Sequence, residues 1–190
     1  MARLPRSLPT RGRQGFSFLE LIIGMSVLLV ALLIFSSSVS GVAKQRTVNR
    51  ETNLAVAAAR NLLETLRSEE FAEVYALYNT NPGDDPGGAG TAPGNRFVVA
   101  GLDDAVDSNG FDGEIVFPDV ETGGAWQLRE DLELPELGMP RDLSGDSIVD
   151  DRDHAGSYFI LPVLIRLRWR SPIGTRQYEM TTQLCQYNKS

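Results

Sequence analysis

Two hydrophobic patterns divide the chain. From Phe16 to Phe35 (FSFLELIIGMSVLLVALLIF) twenty residues carry a single charge, Glu20. As a helix such a run rises about 30 Å, the thickness of a bilayer core. Beyond Gly41 the pattern turns amphipathic. Val48, Ala55, Ala59, Leu62 and Leu66 recur at three-and-four spacing, with polar Thr52 at the one weak position. Arg46, Arg50, Glu51, Glu64, Arg67 and Glu69 fall largely elsewhere, and Phe71, Val74, Tyr75 and Tyr78 extend the apolar face. No glycine or proline follows Gly41 in this stretch, so one helix is predicted from Ser17 to about Tyr78. Residues 16–40 form its membrane-compatible part and 41–78 its amphipathic continuation. Ser36–Gly41 (SSSVSG) is its weakest stretch.

After a Gly/Pro-rich loop at 79–95 (NTNPGDDPGGAGTAPGN) the period becomes two. Phe97–Ala100, Glu114–Phe117 and Ala125–Arg129 are short strand candidates. The strongest is Tyr158–Arg170, where Phe159, Leu161, Val163, Ile165, Leu167 and Trp169 alternate with Arg166, Arg168 and Arg170. Pro162 falls on the outward set and implies an edge position or a break. Ser171-Pro172-Ile173-Gly174 reads as a turn into a return strand, Thr175–Gln186. Pairing Arg170 with Thr175 sets Leu167 opposite Tyr178, Ile165 opposite Met180 and Leu161 opposite Leu184, so the apolar faces coincide. The predicted class is α+β: a long N-terminal helix against a small antiparallel sheet in residues 96–190.

Charge is distributed unevenly. The 190 residues sum to −7, yet Met1–Gly15 holds Arg3, Arg6, Arg11 and Arg13 and no acid. The arginines predict a cytoplasmic leader with the rest of the chain on the far side of the membrane. The acidic balance argues against nucleic acid as a partner. One cysteine, Cys185, excludes an internal disulfide, and one histidine, His154, argues against His-rich zinc sites and most His-centred catalysis.

The apolar run fits an ordinary secretory signal or signal anchor, with Ser36-Ser37-Ser38-Val39-Ser40 as a loose cleavage region. Glu20 distinguishes it, because a carboxylate inside an apolar run is costly and marks function by default. Gly15-Phe16-Ser17-Phe18-Leu19-Glu20 followed by the apolar run resembles the prepilin motif of type IV pilins and type II secretion pseudopilins. The resemblance implies a pilin-like fold, cleavage between Gly15 and Phe16 by a prepilin peptidase of the inner membrane, and methylation of the Phe16 amine. It implies other pilin or pseudopilin subunits and an assembly platform protein as partners. Glu20 would then pair with the Phe16 amine of a neighbouring subunit; the alternative is a carboxylate that snorkels to the headgroups. The resemblance also suggests unwinding of Ser36–Gly41 in a filament, against a simple polar turn at the membrane surface. Cleavage leaves fourteen basic against twenty-five acidic residues, a net charge of −11.

Much of that charge lies between Gly101 and Asp153, where sixteen acids face three arginines. Within it, Asp142, Ser144, Asp146, Asp150 and Asp153 fall at positions 1, 3, 5, 9 and 12 of a twelve-residue loop, with the Ile148 carbonyl at 7. These are the ligand positions of an EF-hand loop, so Ca2+ is the predicted cofactor. Val149 at position 8 suits such a loop, which resembles the calcium loops of dockerins. Ser147 replaces the turn glycine and Asp153 the long bidentate glutamate, and both weaken the match. Asp107–Glu114 is a second candidate, equally read as a turn. Glu130, Asp131, Glu133 and Glu136 read as a solvated acidic run.

No G-x-S-x-G, no Cys/His pair in a plausible motif context and no phosphate loop is present, so no enzymatic activity is expected. Two functional readings stand: a minor pilin or pseudopilin that enters a filament, or a membrane-anchored surface or periplasmic binding protein that never polymerises.

Overall fold

The computed structural model describes Gly15, residues 17–105 and residues 109–186. The chain divides into two compact units, one up to Ala43 and one from Lys44 onward.

In the first unit, α1 (Phe18–Ser68) begins, and its residues up to Ala43 are exposed throughout. The stretch is long and apolar enough to cross a membrane. Its serines do not break it. The hydroxyls of Ser26, Ser38 and Ser40 donate to the carbonyls of Ile22, Ile34 and Ser36, which satisfies them without water. Ser36–Gly41, the weakest stretch by propensity, is helical.

In the second unit α1 buries Val48, Glu51, Ala55, Ala59, Leu63 and Leu66. The stripe is rotated slightly from the predicted one: Leu63 replaces Leu62, and Glu51 rather than Thr52 takes the polar place in it. The helix also ends ten residues earlier than predicted. Glu64, Glu69 and Glu70 gather at its C-terminus, where the macrodipole disfavours negative charge. Ser68 Oγ and Thr65 Oγ1 bond back to the carbonyls of Thr65 and Asn61, offering the backbone an alternative to further helix. A 3-10 turn (Phe71–Glu73) and α2 (Val74–Tyr78) follow, with Val74, Tyr75 and Tyr78 buried.

The main sheet contains β1 (Arg96–Phe97), β2 (Asp103–Asp104), β3 (Gly113–Val116), β6 (Ile160–Ser171) and β7 (Gly174–Cys185). All pairings are antiparallel. β7 flanks one edge of β6; β3 and β2 share the other, and β1 lies outside β3. The final hairpin has the predicted register: Arg170 faces Thr175, Leu167 faces Tyr178, Ile165 faces Met180 and Leu161 faces Leu184. β3 pairs with β6 only from Leu164 onward, so at Pro162 the central strand has a neighbour, β7, on one edge alone. Cys185 is the exposed last residue of β7.

Two features depart from the period-two reading. Phe159 is exposed, whereas Pro162 and Leu164 on the outward set are buried. A 3-10 turn at Pro135–Leu137 packs against both β6 and β7 and shields part of that second face. A second sheet, β4 (Asp119–Thr122) with β5 (Ala125–Leu128), is closed by Gly123 and Gly124 alone. Both glycines have positive φ, +63° and +83°, as a two-residue hairpin turn of this hand requires. One apolar core joins α1, α2 and the strands, with Leu128, Leu143, Leu161, Leu164, Ile165 and Leu167 excluded from solvent.

Candidate functional site

Two regions carry chemistry: the start of α1 and the acidic loop. At the first, Gly15 is exposed and Phe16, the predicted cleavage and methylation position, lies outside the described residues. The helix ladder starts with the Leu21 N–H on the Ser17 carbonyl, 3.1 Å. Glu20 therefore sits in the first turn, where the positive end of the helix dipole favours a carboxylate. Its side chain is exposed, and among the described residues it has no ion-pair partner. The start of the helix thus presents an exposed carboxylate on an apolar surface.

The acidic loop is fixed at both ends by side chains from outside or at its margin. Glu130, two residues beyond β5, is fully buried, and its Oε1 accepts the N–H groups of Leu143 (2.7 Å) and Ser144 (2.9 Å). The Leu143 carbonyl in turn accepts from Phe159 and Ile160 at the start of β6. At the other end Asp153 Oδ1 accepts from Leu128 N–H (3.1 Å) and Ala155 N–H (3.0 Å), while the His154 N–H returns to the Leu128 carbonyl (2.8 Å). Backbone and carboxylate bonds hold the loop against β5 and β6.

Inside the loop, Asp142 organises a tight turn. Its Oδ1 accepts from Gly145 N–H (2.6 Å) and Ser144 Oγ (3.3 Å), and its Oδ2 from Ser147 N–H (2.7 Å). Desolvation works against its charge, yet these donors together hold it below the usual carboxylate range. Ser147, standing where the calcium-loop pattern has glycine, takes a left-handed φ of +68°. Asp146 Oδ1 accepts from Ile148 N–H (2.8 Å), and Ile148 and Val149 are exposed. The N–H of Arg152 foremost, with His154 assisting, keeps Asp150 in its charged form.

Of the residues predicted to ligate calcium (Asp142, Ser144, Asp146, Ile148, Asp150 and Asp153), only Asp150 enters a cluster of metal-ligating side chains. That cluster, among the described residues, is Glu130, Asp150 and His154, each with one ligand atom within 4.8 Å of the others. His154 Nε2 lies 3.1 Å from Asp150 Oδ1 and 3.6 Å from Glu130 Oε2. The group can hold a metal ion. Sequence reasoning placed Glu130 in a solvated run and set His154 aside, and both are corrected by burial: Glu130 is 0% and His154 6% exposed. The rest of that run behaves as predicted, with Asp131 paired to Arg129 and Glu133 and Glu136 exposed. Nothing in the spacing of Glu130 and His154 marks them as partners; the β4–β5 hairpin and the loop return bring them together.

Of the second candidate loop, Asp107 lies outside the described residues. Asp112 there is buried and structural: its Oδ2 accepts from Val99 N–H (2.6 Å) and its carbonyl from Arg168 N–H (2.8 Å).

A long apolar N-terminal helix followed by an antiparallel sheet is a pilin-like architecture. Comparison with protein-family models, curated proteins and solved structures gives no match.

Proposed function

We propose that the chain is a minor pilin or pseudopilin: a non-enzymatic structural subunit anchored in the inner membrane, cut by a prepilin peptidase after Gly15, methylated at Phe16 and drawn into a filament. The observation that carries this reading is the coincidence of Gly15, Phe16 and Glu20 in the prepilin register ahead of a fully exposed apolar helix. An apolar face of that size requires lipid or protein cover. In lipid it anchors the chain with the head outside the cytoplasm; in a filament it packs on its neighbours with the help of the assembly platform. Burial between subunits makes an unpaired Glu20 expensive, and the Phe16 amine of a neighbour neutralises it.

Glu20→Ala tests the filament role against that of a non-polymerising membrane-anchored binding protein. Expressed beside its own assembly machinery, the variant should be processed normally yet be lost from sheared or purified filaments. Equal incorporation of variant and wild type contradicts the proposal.

Calcium is the ion this reading assigns to the acidic loop, through Asp142, Ser144, Asp146, the Ile148 carbonyl, Asp150 and Asp153. The spacing supports it, since a hard cation needs six to eight oxygens around one point. Calorimetry of the full chain in detergent should give heat and a rise in Tm with calcium; the absence of both would remove calcium from the assignment.

A further inference from the structure

We propose that Glu130, Asp150 and His154 form a binding site for a transition-metal dication of the zinc class, distinct in chemistry from the oxygen-only loop. The inference does not depend on the filament reading. Three ligands around a metal at about 2.0–2.2 Å stand about 3.0–3.5 Å apart for octahedral to tetrahedral angles. Of the two distances from His154 Nε2, 3.1 Å to Asp150 falls within that interval and 3.6 Å to Glu130 just above it. The donor set is one imidazole nitrogen and two carboxylates, which suits zinc and its neighbours; calcium takes oxygen and more of it. Two carboxylates and a neutral imidazole also sum to the charge a dication cancels.

Glu130 supplies the independent evidence. Its side chain is entirely excluded from solvent, and Oε2 is a buried atom with no hydrogen-bond partner. A buried oxygen of this kind is costly unless something occupies its lone pairs. Its orientation is not accidental, because Oε1 is held by the N–H groups of Leu143 and Ser144, leaving Oε2 aimed at His154. The His154 backbone is fixed in turn by the Leu128 carbonyl. Such supporting bonds orient metal ligands before the metal arrives. Asp150, with 20% of its side chain exposed, forms the solvent side, where water completes the coordination. Arg152, whose side chain is 79% exposed, meets Asp150 Oδ2 there at 3.4 Å, and the Asp131 carboxylate is near enough to interact electrostatically with Asp150. Asp150 belongs to both ligand sets, so occupancy of this site and of the loop would be coupled through its carboxylate.

His154 is the only histidine in the chain, so its ring signals in a proton–nitrogen correlation spectrum are unambiguous. The full-length protein in detergent is stripped with a chelator and titrated with zinc chloride. One equivalent should displace the proton from Nε2, move its resonance to a metal-bound position with the ring proton on Nδ1, and raise Tm; calcium chloride should not bring Nε2 to that position. Glu130→Gln should weaken zinc binding at least about tenfold. Should that variant not fold, Asp150→Asn at the exposed side serves the same purpose. A ring that does not respond to zinc in the wild-type protein, or responds equally to calcium, overturns the proposal. Wild-type zinc affinity in a folded variant overturns it too. Loss of filament entry in Glu20→Ala would be unaffected by either result.

Discussion

The Tyr75 hydroxyl donates to Asp119 Oδ2 at 3.2 Å, joining α2 to the first residue of β4. Desolvation pushes Asp119 up to about 6, even though the Tyr75 bond favours its charged form. Burial raises Tyr75 as well, so the phenol remains the donor.

The sign of the consequence follows from linkage. The unfolded chain loses the Asp119 proton near its ordinary value of 3.8, whereas the folded chain keeps it until about pH 6. Protons are thus favoured on the folded state across this interval, and the contribution to stability falls as pH rises through it. The upper limit is about 3 kcal/mol, reduced to about 1–2 kcal/mol by the partial exposure of the carboxylate. Asp119→Asn keeps an acceptor for Tyr75 and has no charge to bury. Thermal melts should show the variant gaining on wild type between about pH 4 and 7, by several degrees at the upper end. A difference independent of pH would refute this assignment.

Ala55 and Ala59 are completely buried on α1, which lets the helix lie close to its neighbours. Ala59→Leu inserts three carbons where no space is left and should destabilise the fold by about 1–3 kcal/mol. Ala57→Leu, on the exposed side of the same turn, should change stability by less than about 0.5 kcal/mol. Denaturant melts of the two variants separate packing from helix propensity; equal effects would contradict the buried face.

Gly113 faces Phe97 across the β1–β3 pair, and a Cβ added there would sit 2.2 Å from the Phe97 ring. The aromatic ring covers the glycine, so Gly113→Ala must displace it and should cost about 1–3 kcal/mol. Combined with Phe97→Leu the loss should be smaller than the sum of the single losses, since the clash is removed once. Additive losses would mean the two residues do not meet.

The sequence pattern carried the final hairpin to residue-level register because its apolar and arginine positions alternate and its turn is short. The helix was equally clear up to its end, which capping chemistry rather than hydrophobicity decides. β4 was hidden because Asp119, Val120, Glu121 and Thr122 do not alternate as a half-buried strand; the Gly123-Gly124 pair was the available signal. The second buried face of β6 at Leu164 depends on the Pro135–Leu137 turn returning over it. Glu130 and His154 share no motif spacing, and their meeting is a product of the fold. The spacing of the 142–153 loop was read as a set of calcium ligands; in the fold Asp142 instead organises a tight turn, and the side chains that converge, Glu130, Asp150 and His154, lie beside it.

The N-terminus of the protein produced with an active prepilin peptidase, determined by intact and peptide mass spectrometry, bears most directly on the proposed function. A chain beginning at Phe16 and carrying one added methyl group on its amine is the expected product, with the uncut chain accumulating when the peptidase is inactive. A chain cut within Ser36–Ser40, or uncut beside an active peptidase, would contradict it.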